Sequence, residues 1–263
     1  MSVVGVFDSG IGGLTVASAI SQALPDVDLL YLGDTARLPY GTKSPDTVTR
    51  YALKCVSFLA ERGVQALVVA CNTASACALP AIGQQYPGIP VLGVVDPGAR
   101  AAVEATRSGR IGVIGTEGTV MSGSYTRAIA GIDPSIDVIS SACPLLVPLA
   151  EVGWLEHPVT DLTLTTYLEP MLEASIDTLV LACTHYPVLK PAVRRVLDRL
   201  APANEIILVD SAEVVTADLV KTLSHHDGDG NRSFYVTDLA QRFFDVAHTF
   251  WPGDLPAIVH VDL

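Results

Sequence analysis

One α/β unit is written twice along the chain, and that repetition constrains the fold more than any single motif. Gly5-Val6-Phe7-Asp8-Ser9 returns as Gly112-Val113-Ile114-Gly115-Thr116, and Pro25-Asp26-Val27-Asp28 returns as Pro134-Ser135-Ile136-Asp137. Val64-Gln65-Ala66-Leu67-Val68-Val69-Ala70-Cys71 returns as Ile176-Asp177-Thr178-Leu179-Val180-Leu181-Ala182-Cys183. Val94-Val95-Asp96-Pro97-Gly98-Ala99 returns as Leu208-Val209-Asp210-Ser211-Ala212. The offsets, 107, 109, 112 and 114 residues, rise in order, as small loop insertions in the second copy produce. A repeated unit of about 110 residues is itself of domain size.

Within a copy, short apolar runs alternate with longer amphipathic stretches. Val3–Phe7, Asp28–Leu32, Val64–Ala70 and Val91–Val95 are bounded by Gly, Asp or Pro, as buried strands are. Ser44-Pro45 is a helix start and Gly63 a helix stop. Between them Val48, Tyr51, Cys55, Phe58 and Leu59 keep helical spacing. The fold class expected is α/β: two similar open parallel-sheet domains from the duplication, with the active site in the cleft between them. The tail reads as a strand (Phe234–Val236), a helix (Leu239–Phe250) and a last strand (Ile258–Val261) that return to the first sheet. The expected division is therefore 1–95 plus 208–263 for the first domain and 96–207 for the second, with crossings at Asp96-Pro97 and Asp210-Ser211.

Composition narrows the function classes. The 263 residues are 49% hydrophobic and 17% charged, enough apolar material for a core and against disorder. A net charge of −12 opposes a nucleic-acid binder, which needs a basic stripe. No apolar run is long enough for a membrane span, and the N-terminal residues lack the pattern of a signal peptide. Five cysteines without tight spacing do not make a disulfide framework. The expectation is a cytoplasmic protein with free thiols.

The duplication puts one cysteine at the same point of each copy, Cys71 and Cys183, each ending a strand and followed by Asn72-Thr73 or Thr184-His185. A thiol before a helix N-terminus is favoured as thiolate by the helix dipole. Either cysteine alone could equally be a small buried hydrophobe. As a symmetric pair facing one cleft they point to proton transfer on opposite faces of one carbon. Cys55 and Cys77 lie on helix faces and read as core, and Cys143 has no activating neighbour. The first turn, Asp8-Ser9-Gly10-Ile11-Gly12-Gly13, could bind a dinucleotide with Asp34 as ribose acid, but Thr15 occupies the third glycine's place. The alternative is a loop whose N–H groups and Ser9 hydroxyl hold a carboxylate. Asp8 could orient a thiol or cap the helix, and His185 is a candidate base beside Cys183. Pro39-Tyr40-Gly41 can turn N–H groups toward a ligand. A metal-dependent hydrolase using Cys71, Cys183, His185 and Asp8 is a second reading, though these lack any closely spaced zinc motif. The lysines, Lys43, Lys54, Lys190 and Lys221, stand at no strand end, where a pyridoxal enzyme would need one.

Taken together, Asp8-Ser9-Gly10-Ile11-Gly12-Gly13, Gly33-Asp34-Thr35-Ala36, Pro39-Tyr40-Gly41, Ala70-Cys71-Asn72-Thr73-Ala74-Ser75 and Ala182-Cys183-Thr184-His185-Tyr186-Pro187 resemble the glutamate racemase family, in its order and over essentially the whole chain. Ala142-Cys143-Pro144 and Val147-Pro148-Leu149-Ala150-Glu151 are similar to its second-domain segment. The resemblance implies an isomerase that interconverts L- and D-glutamate without cofactor or metal and supplies D-glutamate for peptidoglycan, with an aspartate or other racemase of the same scaffold as the alternative. It implies that Cys71 takes the α-proton from D-glutamate and Cys183 from L-glutamate, with Asp8, His185 and Glu151 assisting. It also implies substrate contacts at Asp8, Ser9, Tyr40, Gly41, Asn72, Thr73, Thr184 and His185, with Thr116 and Thr119 as further contacts. Its partners would be the small-molecule substrate and a second copy in a homodimer, one of several arrangements in the family. Asp96 departs from the Glu that many members carry, at a point expected to affect the hinge.

Overall fold

The computed structural model describes residues 2–238 and 241–263. The first copy runs β1 (Val3–Asp8), α1 (Leu14–Ala23), β2 (Asp28–Gly33), α2 (Pro45–Ala60), β3 (Ala66–Val69), α3 (Asn72–Gln85), β4 (Val91–Gly93) and α4 (Val95–Ala105). The second runs β5 (Arg110–Gly115), α5 (Glu117–Ser122), α6 (Ser124–Ile132), β6 (Asp137–Ala142), α7 (Leu146–Glu151), α8 (Pro158–Glu173), β7 (Thr178–Ala182), α9 (Lys190–Leu200), β8 (Ile207–Asp210) and α10 (Ser211–Thr222). The tail is β9 (Arg232–Val236), α11 (Gln241–Phe250) and β10 (Ile258–His260). Leu239, the first residue expected in that last helix, lies outside the described residues.

The two sheets repeat one topology. Strand order is β10-β9-β2-β1-β3-β4 in one and β6-β5-β7-β8 in the other, so each copy lays its strands down in the sequence second, first, third, fourth. Every ladder among the described residues is parallel. Such strands are buried on both faces, which is why β3 (Ala-Leu-Val-Val) and, after Thr178, β7 (Thr-Leu-Val-Leu-Ala) read as continuous apolar runs rather than alternating ones. The tail strands extend the first sheet beside β2, as the sequence suggests.

Local signals explain most boundaries. Ser44 caps α2 by accepting the Thr47 N–H, Pro45 occupies its first turn, and Gly63 stops the chain at φ +74°. The run Val91–Val95 is split: β4 stops at Gly93, and Val95 already begins α4. The expected boundary at residue 208 falls within β8, whose pairing with β7 keeps the chain in the second sheet to Asp210.

The crossings are made by helices that change partners. α4 leaves the first sheet yet packs on β7, β8 and α6, whereas α10 leaves the second sheet and packs on α1 and β4. One apolar cluster therefore runs through both halves, from Val4, Ile20 and Leu29 through Val94, Ala212 and Leu219 to Leu181 and Val196. Each fully buried aliphatic side chain there contributes about 1.5–3 kcal/mol, so the halves are not independent beads. No helix among the described residues is long and apolar enough to cross a membrane.

Candidate active site

The C-terminal strand ends of both sheets meet at one cavity of about 60 Å³. Its walls are Ser9, Tyr40, Gly41, Cys71, Asn72 and Thr73 from the first half, and Thr116, Glu151, Cys183, Thr184 and His185 from the second. Asp8 lies beneath this lining, fully buried. All five cysteines are free, and Cys71 and Cys183 are 6% and 5% exposed.

The two thiols are less symmetric than their positions. Cys71 is itself the N-cap of α3, its Sγ accepting the Ala74 N–H at 3.5 Å. Cys183 enters a turn and then a 3₁₀ helix over Tyr186–Leu189, and α9 starts only at Lys190. The helix expected directly after Cys183 is therefore absent. Pro187 and Pro191 each stand in a first turn, where their missing N–H is harmless, and so mark two separate starts.

Electrostatics divides them further. Burial pushes the Cys71 thiol up to about 12, and the Asp8 carboxylate adds to the effect, while the Ser9 hydroxyl and the Ala74 N–H only partly offset it. The thiolate expected from the helix N-terminus is thus overridden: desolvating a charge costs more than one cap and a dipole return. On the other side, burial lowers His185, but its hydrogen bonds with Cys183 and Glu151 prevail and raise it to about 10. Its Nδ1 is 3.9 Å from Cys183 Sγ and its Nε2 is 3.2 Å from Glu151 Oε1. Phe250 packs edge-on to the ring at 5.2 Å between centroids. A positive charge therefore stands beside Cys183, held in place by Glu151.

Asp8 explains the glycine-rich turn. Its carboxylate accepts the Gly10 N–H at 2.9 Å, a bond from the Gly13 N–H, and the Thr184 hydroxyl at 3.3 Å. The carboxylate held by this loop is the protein's own, and the helix cap is Gly13 rather than Asp8. Burial raises the Asp8 pKa, against the His185 charge and these donors, which lower it. The turn also sits against the other half, since Thr15 Oγ1 donates to the Thr184 carbonyl at 3.0 Å. A methyl on Gly12 would overlap His185 Nδ1 and Thr184 Oγ1. Gly12→Ala should displace that ring and lower kcat/KM for the substrate about tenfold with the fold retained, as steady-state assays and circular dichroism would check.

Asp34 is not a ribose ligand. It is fully buried and accepts from Arg37, from the Tyr40 hydroxyl at 2.6 Å and from the Thr237 hydroxyl at 2.7 Å. Tyr40, expected to touch substrate, lines the cavity while its hydroxyl is turned onto the buried Asp34, and Gly41 is pressed close to Thr116. Tyr40→Phe should cost about 1–2 kcal/mol of stability in denaturant titrations, and KM should change less than about threefold.

The remaining wall is hydroxyl and amide. Thr73, Thr116 and Thr119 form a triangle of hydroxyls 2.9–3.2 Å apart that joins the halves. Asn72 accepts the Tyr125 hydroxyl at 2.7 Å through Oδ1, and its buried Nδ2 has no partner. Tyr125 and Thr15 were not legible as site residues, because each acts through a neighbour from a different repeat. Cys143 is fully buried with Sγ directed to the Ser141 carbonyl, and Cys55 is likewise core. Among the described residues no group of three or more His, Cys, Asp or Glu side chains could hold a metal ion.

Comparisons with known proteins place the chain in a family. Residues 12–240 match the profile of the Asp/Glu/Hydantoin racemase family. A glutamate racemase of Geobacter metallireducens is 51% identical, with 99% of this chain and 96% of that one covered. A crystal structure of a glutamate racemase isoform from Bacillus anthracis superposes with a TM-score of 0.91 at 39% identity, over 100% of this chain and 98% of that one. A glutamate racemase from Francisella tularensis, solved in complex with D-glutamate, gives a TM-score of 0.90 at 32% identity, over 99% and 97%.

Proposed function

Since the chain belongs to the Asp/Glu/Hydantoin racemase family, we propose that it interconverts L- and D-glutamate by proton transfer between two cysteines, without a cofactor, and supplies D-glutamate for peptidoglycan. The observation that carries the reading is that one duplicated strand end in each half delivers one buried thiol to a shared cavity. Inversion at a carbon needs a base on one face and an acid on the other, and a duplicated fold provides one group per face.

In the L-to-D direction Cys183, as thiolate, takes the α-proton and leaves a carbanion whose charge spreads into the α-carboxylate. Cys71, held as thiol, delivers its proton to the opposite face and becomes the thiolate. Protons and charge balance, and the D-to-L direction runs the same steps backward. His185, charged and tied to Glu151, stands where a thiolate at Cys183 is compensated. On Cys71 the balance is different: Asp8 raises its proton affinity and holds it as the thiol, while the Ser9 hydroxyl lowers it. The unpartnered Nδ2 of Asn72 and the Thr73 hydroxyl are donors to the substrate carboxylate.

The test is optical. Enzyme freed of metal and pyridoxal should take L-glutamate to zero optical activity, followed by circular dichroism. Turnover of aspartate or a hydantoin with none of glutamate would move the substrate to a relative, and dependence on added zinc would overturn the reading.

A further inference from the structure

The Tyr125 hydroxyl sits where both interdomain crossings and the site meet. It donates to Asn72 Oδ1 of α3 at 2.7 Å and lies 3.5 Å from the Val94 carbonyl, the residue that caps α4. Beside it is Ser211, the first residue of α10, whose own hydroxyl is spent on the Leu181 carbonyl at 2.9 Å. Tyr125, Asn72 and Ser211 are 2%, 2% and 1% exposed. The approach is close on purpose: a methyl on Gly98 of α4 would stand 3.1 Å from both the hydroxyl and Cε1. Burial raises the phenol's pKa and keeps it a donor.

A primary amide in a cavity wall can turn either its oxygen or its nitrogen inward. Here the oxygen is committed to Tyr125, so Nδ2 is the end left without a partner in the protein. A buried donor with no acceptor is destabilising, and the penalty is recovered only when a ligand supplies the acceptor. We propose that Tyr125 is a positioning residue: it locks the Asn72 amide with Nδ2 as donor to a carboxylate oxygen of the substrate, and ties that orientation to the two crossings between the halves. The proposal rests on the amino-acid racemase reading and goes beyond it.

Steady-state kinetics in a double-mutant cycle tests it. Tyr125→Phe should raise KM about tenfold in both directions with kcat within about threefold, because the donor acts on binding rather than on the proton. In an Asn72→Ala background the same change should add less than about twofold. Gly98→Ala keeps the phenol but crowds it, and should raise KM about threefold, again with nothing added beside Asn72→Ala. Should Tyr125→Phe not fold, the Gly98→Ala pair decides. An unchanged KM, or a full effect persisting in the Asn72→Ala background, overturns the proposal. Wild-type turnover of glutamate is the separate control for the racemase reading. If another amino acid is the one racemised, the cycle is run on that substrate.

Discussion

Cys71→Ser and Cys183→Ser should each lower kcat/KM on glutamate by about a thousandfold or more, and by the same factor from L- and from D-glutamate. The size follows from general acid–base catalysis, which contributes about 10²–10⁴, and from an alcohol being a far weaker acid than a thiol. Equality of the two losses is thermodynamic. Substrate and product are mirror images, their equilibrium constant is one, and no variant can change that ratio. Both thiols are buried in close-packed surroundings that a serine fits, so far-UV circular dichroism should be unchanged. Full turnover from L-glutamate by Cys183→Ser would end the two-base account.

His185→Asn should lose about a hundredfold in kcat/KM, the second largest effect expected. The imidazole joins Cys183 to Glu151, and asparagine can take one of those bonds but carries no charge. Its titration sets a pH dependence whose sign is fixed. The folded pKa, about 10, lies above the ordinary imidazole value of 6.5, because burial, which lowers it, is outweighed by the hydrogen bonds to Cys183 and Glu151. The stabilisation is therefore fully present below 6.5 and is lost as pH rises toward 10. Wild-type Tm should fall across that interval, and His185→Asn should show a smaller fall. An equally steep fall in the variant would place the titration elsewhere.

Much of the architecture is readable from residues because repetition carries information that no single segment does. A valine run such as Val64–Ala70 fits a strand or a buried helix equally. Its return 112 residues later with a cysteine at the same end fixes its place, and the two sheets share one strand order. The tail strands were legible for the same reason that β1 was: short, β-branched and bounded by polar loops. The Leu239 start of the last helix lies outside the described residues.

What was not legible is set by burial and direction. The helix N-terminus after β3 suggests a thiolate at Cys71, but the site's depth and the nearby Asp8 charge are tertiary quantities, and they reverse the outcome. The Gly10 and Gly13 N–H groups have no side chain to announce where they point, so Asp8 as their acceptor emerges only in three dimensions. Tyr40 has an apolar ring and a polar end, which allows it to face cavity or core. The buried Asp34 draws it to the core. Pro191, in the first turn of α9, is a helix-start signal that the sequence carries.

One experiment bears most directly on two thiols acting on opposite faces of one carbon: racemisation of L-glutamate in deuterated water, read by proton NMR in the first turnovers. Thiol protons exchange with solvent, so the D-glutamate formed should carry deuterium at the α-carbon from the outset, while unreacted L-glutamate keeps its α-proton. Product that retains the original proton, or deuterium entering L-glutamate as fast as D-glutamate forms, would mean that a single group serves both faces and would contradict the account.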